Sequence, residues 1–209
     1  MPDYSLEAAI PGRVAGVDEA GRGPWAGPVV AAAAILDVDA LPGDLLAALD
    51  DSKKLKAEKR RQLLDALNHR FGTGIVYGVG VATVEEIDAL NILQATMIAM
   101  TRAVDRLDPQ PDMALIDGNR VPDALSCRAR AVVKGDGLSL SIAAASIIAK
   151  VTRDAMMAKL AAEYPGYGWE GNAGYGTRAH QDAIASLGIT PHHRKSFAPI
   201  RKILSQADS

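Results

Sequence analysis

The stretch VAGVDEAGRGP, residues 14–24, strongly constrains how this chain can fold. Its first four residues predict a buried apolar strand, which is followed by two adjacent carboxylates, Asp18 and Glu19. The loop after them is nearly bare of side chains except for Arg22, because glycines flank that arginine and leave the backbone open to a ligand. The pattern indicates a metal site beside a phosphate site, and a solvated turn between two strands is the alternative.

Apolar runs and helical spacing divide the rest of the chain into strands and helices. The predicted strands are 13–17, 28–36, 75–81, 113–116 and 129–133. The predicted helices are 56–71, 85–107, 138–164 and 177–187, of which the second opens with a capping-box pattern at 83–86. Residues 1–12 suggest a loose leader, and the chain is expected to end in one helical turn and a polar tail. The simplest packing is one sheet with helices on its faces and a helical C-terminal extension.

Composition excludes several classes of function. The net charge of -2 means that any basic surface must be local, and an aromatic content of 4% argues against a surface of many stacked rings. One cysteine, Cys127, cannot form an intrachain disulfide, and the four histidines lack zinc-ligand spacing. Walker and Gly-x-Ser-x-Gly motifs are absent. The longest apolar stretch, Val29 to Leu36, is too short to span a bilayer, so a cytoplasmic location is expected.

Acidic residues occur where predicted strands end and where a helix begins. Asp18 and Glu19 follow the first strand, Asp117 ends the fourth, and Asp136 lies in a Gly-Asp-Gly turn before a buried helix. If the first and fourth strands are parallel neighbours, their carboxyl ends place these acids together. Clustered carboxylates repel unless a cation neutralises them, and Mg²⁺ or Mn²⁺ prefers such oxygen ligands. Two such ions support in-line displacement at phosphorus.

Each acid also has a structural alternative. Asp136 can serve as a helix N-cap, and Asp117 with Gly118 forms a common turn pair. The structural explanation is weaker for Asp18 and Glu19, since a buried apolar strand has little reason to end in two acids.

The Gly21-Arg22-Gly23 loop offers backbone N–H groups and one guanidinium, which suits bidentate phosphate binding. Such a tripeptide alone is a weak signal. Tyr175 lies between two glycines, which suits stacking on a base or sugar, although a lone tyrosine more often packs in a core.

Two basic groups are further candidates for contacts with a polyanion. Residues 53–61 contain six lysines and arginines opposed by one glutamate, for which a solvated helix face is the alternative. Within this group Lys53 is placed to approach a phosphate. A second patch is predicted at 192–195 (HHRK).

Longer blocks of the sequence resemble one known family. DEAGRGPWAGPVVAAA closely resembles the opening signature of ribonuclease HII, the type 2 ribonuclease H. Further blocks of the same family follow in order: DSKKL (51–55), LNILQATMIAM (90–100), LIDGNR (115–120), KGDGLSLSIAAASIIAKVTRD (134–154) and GYGTRAH (174–180). The resemblance therefore covers most of the chain.

The resemblance implies the ribonuclease H-like α/β fold, a five-stranded mixed sheet flanked by helices with a helical C-terminal extension. Residues 1–209 would form one catalytic domain, with its core at about 13–165 and the extension from about 166. The implied reaction is hydrolysis of the RNA strand of RNA/DNA hybrids, together with incision 5′ of single ribonucleotides in duplex DNA, leaving 5′-phosphate and 3′-hydroxyl ends. A monomer that uses Mn²⁺ or Mg²⁺ and does not bind membranes is expected.

The resemblance also assigns roles to residues. The family's catalytic and metal-binding acids correspond to Asp18, Glu19, Asp117 and Asp136. The loop that reads the ribose 2′-hydroxyl through its backbone corresponds to Gly21, Arg22 and Gly23. The tyrosine that stacks on the deoxyribose after the ribonucleotide corresponds to Tyr175.

Two other function classes stay open. One is a different enzyme on the same fold, such as a junction-resolving or DNA-only nuclease. The other is a non-catalytic nucleic-acid binding module, against which the four acids argue, because carboxylates repel phosphate unless a metal intervenes. The last residues, 205–209, show no evident motif for binding a sliding clamp.

Overall fold

The computed structural model describes residues 1–207; Asp208 and Ser209, the end of the expected polar tail, lie outside the described residues. Its five strands are β1 Val14–Ala20, β2 Val29–Leu36, β3 Ile75–Ala82, β4 Met113–Asp117 and β5 Arg128–Val132. They form one sheet in the order β3-β2-β1-β4-β5. β1 is antiparallel to β2 and parallel to β4, which confirms the hairpin-like pair and the mixed sheet.

The helices lie around this sheet. They are α1 Ser5–Ala8, α2 Gly43–Ala48, α3 Ala57–Asn68, α4 Val84–Leu90, α5 Ile92–Asp105, α6 Leu140–Glu163, α7 Trp169–Asn172, α8 Arg178–Leu187 and α9 Ala198–Ala207. A short 3₁₀ turn, Gly135–Gly137, precedes α6. Across residues 1–207, none of these helices is both long and apolar enough to cross a membrane.

Small side chains on β2 allow helices to approach both faces of the sheet closely. Ala32 and Ala34 lie in the core cluster formed with α6, whereas Ala31 and Ala33 lie in the cluster formed with α5. This alternation follows from the two-residue period of a strand. The predicted burial of the first half of α6 on several sides is confirmed, because residues 140–149 are all buried.

One predicted helix is two. The expected helix at 85–107 breaks at Asn91, which has a φ of 72° and whose side chain accepts hydrogen bonds from the N–H groups of Leu93 and Gln94. Asn91 therefore caps α5, and asparagine tolerates this left-handed conformation better than most residues. The apolar stripe continues across the break, so periodicity could not reveal it. The capping box of Thr83 and Glu86 is confirmed.

Both ends of the chain are more ordered than the sequence suggested. The loose leader is wrong, because Tyr4 donates a hydrogen bond to the Leu36 carbonyl (3.0 Å) and Leu6 packs against a buried cluster. The single last helical turn is wrong too, since α9 has ten residues and buries Ile200 fully. In both places a few apolar side chains dock on existing core surface, which local sequence patterns do not show.

Candidate active site

The central strand β1 and its parallel neighbour β4 bring two acids together. Val17 pairs with Ile116, so Asp18 and Asp117 are adjacent at the carboxyl end of β4. Asp136, from the 3₁₀ turn, completes the cluster, in which one oxygen from each of the three carboxylates lies within 4.8 Å of the others. The predicted meeting of the first and fourth strands is confirmed.

Hydrogen bonds fix the turn that carries Asp136. The N–H of Gly135 donates to Oδ1 of Asp117 at 2.7 Å. The N-cap of α6 is Ser139, whose side chain accepts from the N–H of Ile142, so the N-cap alternative for Asp136 is wrong. The turn alternative for Asp117 holds alongside its place in the cluster, because Gly118 has a φ of 101°.

The cluster is short of positive charge. Burial and, after it, the charges of Glu19 and Asp117 raise the pKa of Asp18 well above its ordinary value. Burial followed by the charge of Asp117 raises the pKa of Asp136. Within residues 1–207, the salt bridge to the cluster is made by Lys53, whose Nζ lies 3.6 Å from Oδ2 of Asp136. Three gathered carboxylates with so little neutralising charge are a donor set that fits a divalent, oxygen-preferring cation.

Glu19 is not part of the group that meets within 4.8 Å. Its Oε1 accepts a hydrogen bond from Nη1 of Arg22 at 3.2 Å. Burial nevertheless raises the pKa of Glu19, against the opposing effect of that guanidinium. Glu19 therefore connects the carboxylate cluster to the loop that follows β1.

That loop lies beside Tyr175. Gly21 has a φ of 99°, and a Cβ there would lie 2.0 Å from Nε of Arg153, so only glycine fits. A Cβ at Gly23 would lie 3.4 Å from Cε1 of Tyr175. The tyrosine ring is 48% exposed, which leaves it free for a ligand. The structure thus brings the loop and the tyrosine together, although the sequence separates them widely.

Two buried arginines hold the loop from behind. The guanidinium of Arg194 is fully buried and donates to four backbone carbonyls, those of Gly21 (2.6 Å), Arg22 (2.9 Å), Gly27 (2.9 Å) and Pro28 (3.1 Å). Arg153 donates to the carbonyls of Ala26 and Ala173 and shares that of Pro28 with Arg194. Burial lowers the pKa of Arg194 to about 9 and that of Arg153 to about 10. We call this pair the arginine cradle.

The predicted basic patch at 192–195 is wrong as a surface feature, because His193 and Arg194 are fully buried. The N–H of Thr190 donates to Nδ1 of His193 (2.9 Å), which leaves the proton of the neutral ring on Nε2, 3.1 Å from Nε2 of His180. Nδ1 of His180 lies 2.9 Å from the Tyr175 carbonyl. These two imidazoles therefore support residues 174–176, which we call the tyrosine turn. Sequence reasoning missed this role and the arginine cradle, since nothing local shows that a basic run points inward.

The basic group at 53–61 is mostly a solvated face. Lys53 reaches the carboxylates, whereas Lys54 pairs with Asp50 at 2.9 Å. Arg60 turns inward and donates to the carbonyls of Ser52 and Leu55. Only the start of this group therefore adjoins the carboxylate cluster.

Comparison with known proteins matches this arrangement to one family. The sequence pattern of ribonuclease HII matches residues 15–200. A ribonuclease HII of Rhodospirillum rubrum is 61% identical over 99% of this chain and 94% of its own length. The chain belongs to the ribonuclease HII family. It is accordingly a ribonuclease H, an endoribonuclease acting on RNA/DNA hybrids, which decides against a non-catalytic binding module.

Solved structures agree with the ribonuclease HII assignment. Ribonuclease H2 of Pyrococcus horikoshii is 29% identical, with a TM-score of 0.76 over 94% of this chain and 99% of its own. Bst ribonuclease HIII, solved in complex with Mn²⁺, is 22% identical with a TM-score of 0.74 over 93% of this chain and 70% of its own, and supports the fold. Enzymes with the ribonuclease H fold depend on divalent cations, with which the carboxylate cluster is consistent.

Proposed function

We propose that this ribonuclease H also incises duplex DNA on the 5′ side of a single embedded ribonucleotide, leaving 5′-phosphate and 3′-hydroxyl ends. The observation that carries the proposal is the carboxylate cluster lying beside a loop with almost no side chains, next to an exposed tyrosine. The ribose 2′-hydroxyl is what distinguishes RNA from DNA at such a site. A backbone loop held rigid from behind is suited to sensing one hydroxyl group.

Asp18, Asp117 and Asp136 would hold Mg²⁺ or Mn²⁺, and Glu19 is proposed as the fourth catalytic acid. A pair of such ions, when bound, activates water for attack on phosphorus and stabilises the oxygen that leaves. The Lys53 ammonium, beside Asp136, is placed to contact a substrate phosphate. Arg22, which is half exposed and bonded to Glu19, is a second cation proposed to contact a phosphate.

The substrate contacts divide between two segments. The backbone of Gly21, Arg22 and Gly23 is proposed to contact the 2′-hydroxyl, and Tyr175 to stack on the next deoxyribose. All proposed contacts come from one chain, so we also propose that it acts as a monomer. Residues 1–209 would be a single catalytic domain, in which about 166–209 supplies the tyrosine turn.

The deciding experiment is cleavage of a DNA duplex that contains one ribonucleotide, with the cut mapped to single-nucleotide resolution. We expect incision 5′ of the ribonucleotide with Mn²⁺ or Mg²⁺ and none with chelator. Asp117→Asn should be folded and inactive. An all-DNA duplex and an RNA/DNA hybrid are run in parallel. Cleavage of the all-DNA duplex, or substantial activity of Asp117→Asn, would contradict the proposal and favour a different nuclease on the same fold.

Tyr175→Ala tests the stacking contact. Loss of stacking should lower cleavage at the single ribonucleotide by about 10- to 100-fold, on the basis of roughly 1–3 kcal/mol per stacked ring. Because Tyr175 is half exposed, thermal unfolding should barely change. Equal cleavage rates before and after the substitution would show that the ring only packs.

A further inference from the structure

The N-terminal segment contains a buried acid that the functions above leave unused. Residues 1–14 precede the part of the chain that matches the ribonuclease HII pattern. Within this segment, Glu7 of α1 is only 2% exposed. A carboxylate is rarely buried without specific partners, so its contacts indicate its role.

Glu7 binds the start of the long helix α6. Its Oε1 accepts a hydrogen bond from Oγ of Ser139 at 2.6 Å and another from the N–H of Ser141 at 2.9 Å. Oγ of Ser139 in turn accepts from the N–H of Ile142 at 3.1 Å. One carboxylate oxygen thus serves the first turn of α6 directly and through the cap residue.

The backbone of the same segment adds a second attachment. The N–H of Leu140 donates to the Asp3 carbonyl, and the N–H of Asp3 donates to the Leu138 carbonyl, each at 3.1 Å. The first N–H groups of a helix have no partners within the helix. Here the N-terminal segment satisfies those of Leu140 and Ser141, and Ser139 satisfies that of Ile142.

This first turn is joined to the carboxylate cluster. The N–H of Ser139 donates to the Gly135 carbonyl at 2.8 Å, and the N–H of Gly135 donates to Oδ1 of Asp117 at 2.7 Å. Asp136 lies between the two anchored residues. On the other side, a Cβ on Gly16 would lie 2.2 Å from the backbone nitrogen of Ile142, so the same turn presses on β1 two residues before Asp18.

We propose that Glu7 is a positioning residue, which clamps the first turn of α6 and thereby sets the place of Asp136 relative to Asp18 and Asp117. The inference rests on the proposed metal-binding role of those three acids. Its consequence is that the affinity of the cluster for a divalent cation depends on an acid that does not bind the cation.

The test measures Mn²⁺ binding by calorimetry in the absence of nucleic acid. Glu7→Ala should raise the Mn²⁺ dissociation constant by about ten-fold or more, the usual scale when a group that orients a metal ligand is lost. Glu7→Gln should stay within about three-fold of the wild type, because its amide oxygen can accept the same two bonds. Glu163→Ala, which removes an exposed carboxylate at the other end of α6, should change nothing.

Hydrogen exchange supplies the second readout. In Glu7→Ala the amides of Ser139, Ser141 and Ile142 should exchange faster, while those of α5 keep their protection. If Glu7→Ala does not fold, Ser139→Ala is the alternative, because it removes a smaller group. It deletes the hydroxyl that donates to Glu7 and accepts from the N–H of Ile142, and it should weaken Mn²⁺ binding by about three-fold or more.

Three results would overturn the inference. Unchanged Mn²⁺ affinity in Glu7→Ala with a lowered melting temperature would make Glu7 a stability cap alone. Equal losses in Glu7→Gln and Glu7→Ala would show that the two hydrogen bonds are not the cause. A wild-type protein that binds no Mn²⁺ would refute the metal cluster itself. If instead the wild type binds Mn²⁺ and Glu7→Ala weakens it, the inference stands even where ribonucleotide incision is not observed.

Discussion

The carboxylate cluster and the arginine cradle both place charge inside the protein, yet they are built in opposite ways. In the cluster, three carboxylates lie together, and the Lys53 ammonium forms a salt bridge with one of them, at 3.6 Å from Asp136. In the cradle, two guanidiniums lie side by side, and every hydrogen bond that they donate ends on a backbone carbonyl. The cluster has more negative than positive charge. In the cradle, neither guanidinium forms a salt bridge within residues 1–207, but every guanidinium nitrogen donates at least one hydrogen bond.

The difference separates a binding site from a scaffold. Buried charges are tolerated when hydrogen bonds replace the lost water, which the seven carbonyl contacts do for Arg153 and Arg194. Ionised carboxylates repel one another, so a cation that binds among them supplies the charge neutralisation that the protein itself does not. A group of like charges without neutralising partners therefore indicates where a ligand binds. A group of like charges that is hydrogen-bonded to the backbone indicates which loop it stabilises.

Asp18→Asn should produce the largest effect. Cleavage of an RNA/DNA hybrid should fall by roughly 10³-fold or more, because a ligand for the catalytic ions is lost. With chelator present, the variant should melt at a higher temperature than the wild type, since removing a buried carboxylate of raised pKa relieves repulsion at neutral pH.

Differential scanning calorimetry with and without Mn²⁺ gives the comparison, and each kcal/mol corresponds to about 2–4 °C in a chain of this size. Mn²⁺ should stabilise the wild type more than the variant. A lower melting temperature for Asp18→Asn in chelator would mean that repulsion among the carboxylates does not destabilise the wild type.

Arg194→Lys tests the opposite construction. Lysine keeps the charge but cannot reach four carbonyls, so about 3 kcal/mol of unfolding free energy should be lost, measured by urea denaturation. Cleavage at a single ribonucleotide should fall by up to about 100-fold because the loop shifts. Arg178→Lys, an exposed arginine paired with Asp182, is the matched control and should be neutral. Full activity of Arg194→Lys would separate the cradle from substrate recognition.

The smallest expected effect is a change in unfolding free energy with pH that comes from the buried imidazole of His193. The pKa of His193 is lowered from 6.5 to about 4 by burial, so between these values the unfolded chain binds the extra proton and the folded one does not. Unfolding free energy should therefore decrease as the pH falls from about 6.5 toward 4, by about 1–2 kcal/mol for this ring. The raised pKa of Asp18 acts in the opposite direction, since the folded state then takes up the proton first.

Urea denaturation of the wild type and His193→Gln at pH 7.5 and pH 5 isolates the imidazole contribution. Part of the loss at pH 5 should vanish in His193→Gln. His69→Ala, which removes an exposed imidazole, is the matched control. An identical pH dependence in all three proteins would mean that His193 is not held neutral by its surroundings.

The comparison also explains how much the sequence could predict. In the sequence each carboxylate of the cluster lies at or next to the end of a predicted strand or the start of a predicted helix, so strand order and chain direction were enough to predict that Asp18, Asp117 and Asp136 meet, which they do. The predicted end of the first strand, at Val17, was wrong. β1 continues to Ala20, because its pairing with β2 extends beyond the apolar residues that indicated the strand.

The cradle and the N-terminal clamp could not be predicted in this way. Arg194 contacts Gly21, and Glu7 contacts Ser139, across most of the chain length. A basic run at 192–195 and an acid in a polar leader have the composition of solvated surface. Their burial depends on carbonyls and N–H groups that face them only after the sheet and α6 have formed.

The distribution of the cluster along the chain has a consequence during translation. Ribosomes add roughly 5–20 residues per second, so Asp136 follows Asp18 by roughly 6–24 s, and Arg194 emerges later still. A truncated product that ends before Asp136 contains the central strand but lacks one acid of the cluster, and one that ends before Arg194 lacks the hydrogen bonds that this arginine donates to the loop. The carboxylate cluster and the loop beside it therefore have all their parts only after Arg194 has been synthesised, when most of the chain has already left the ribosome.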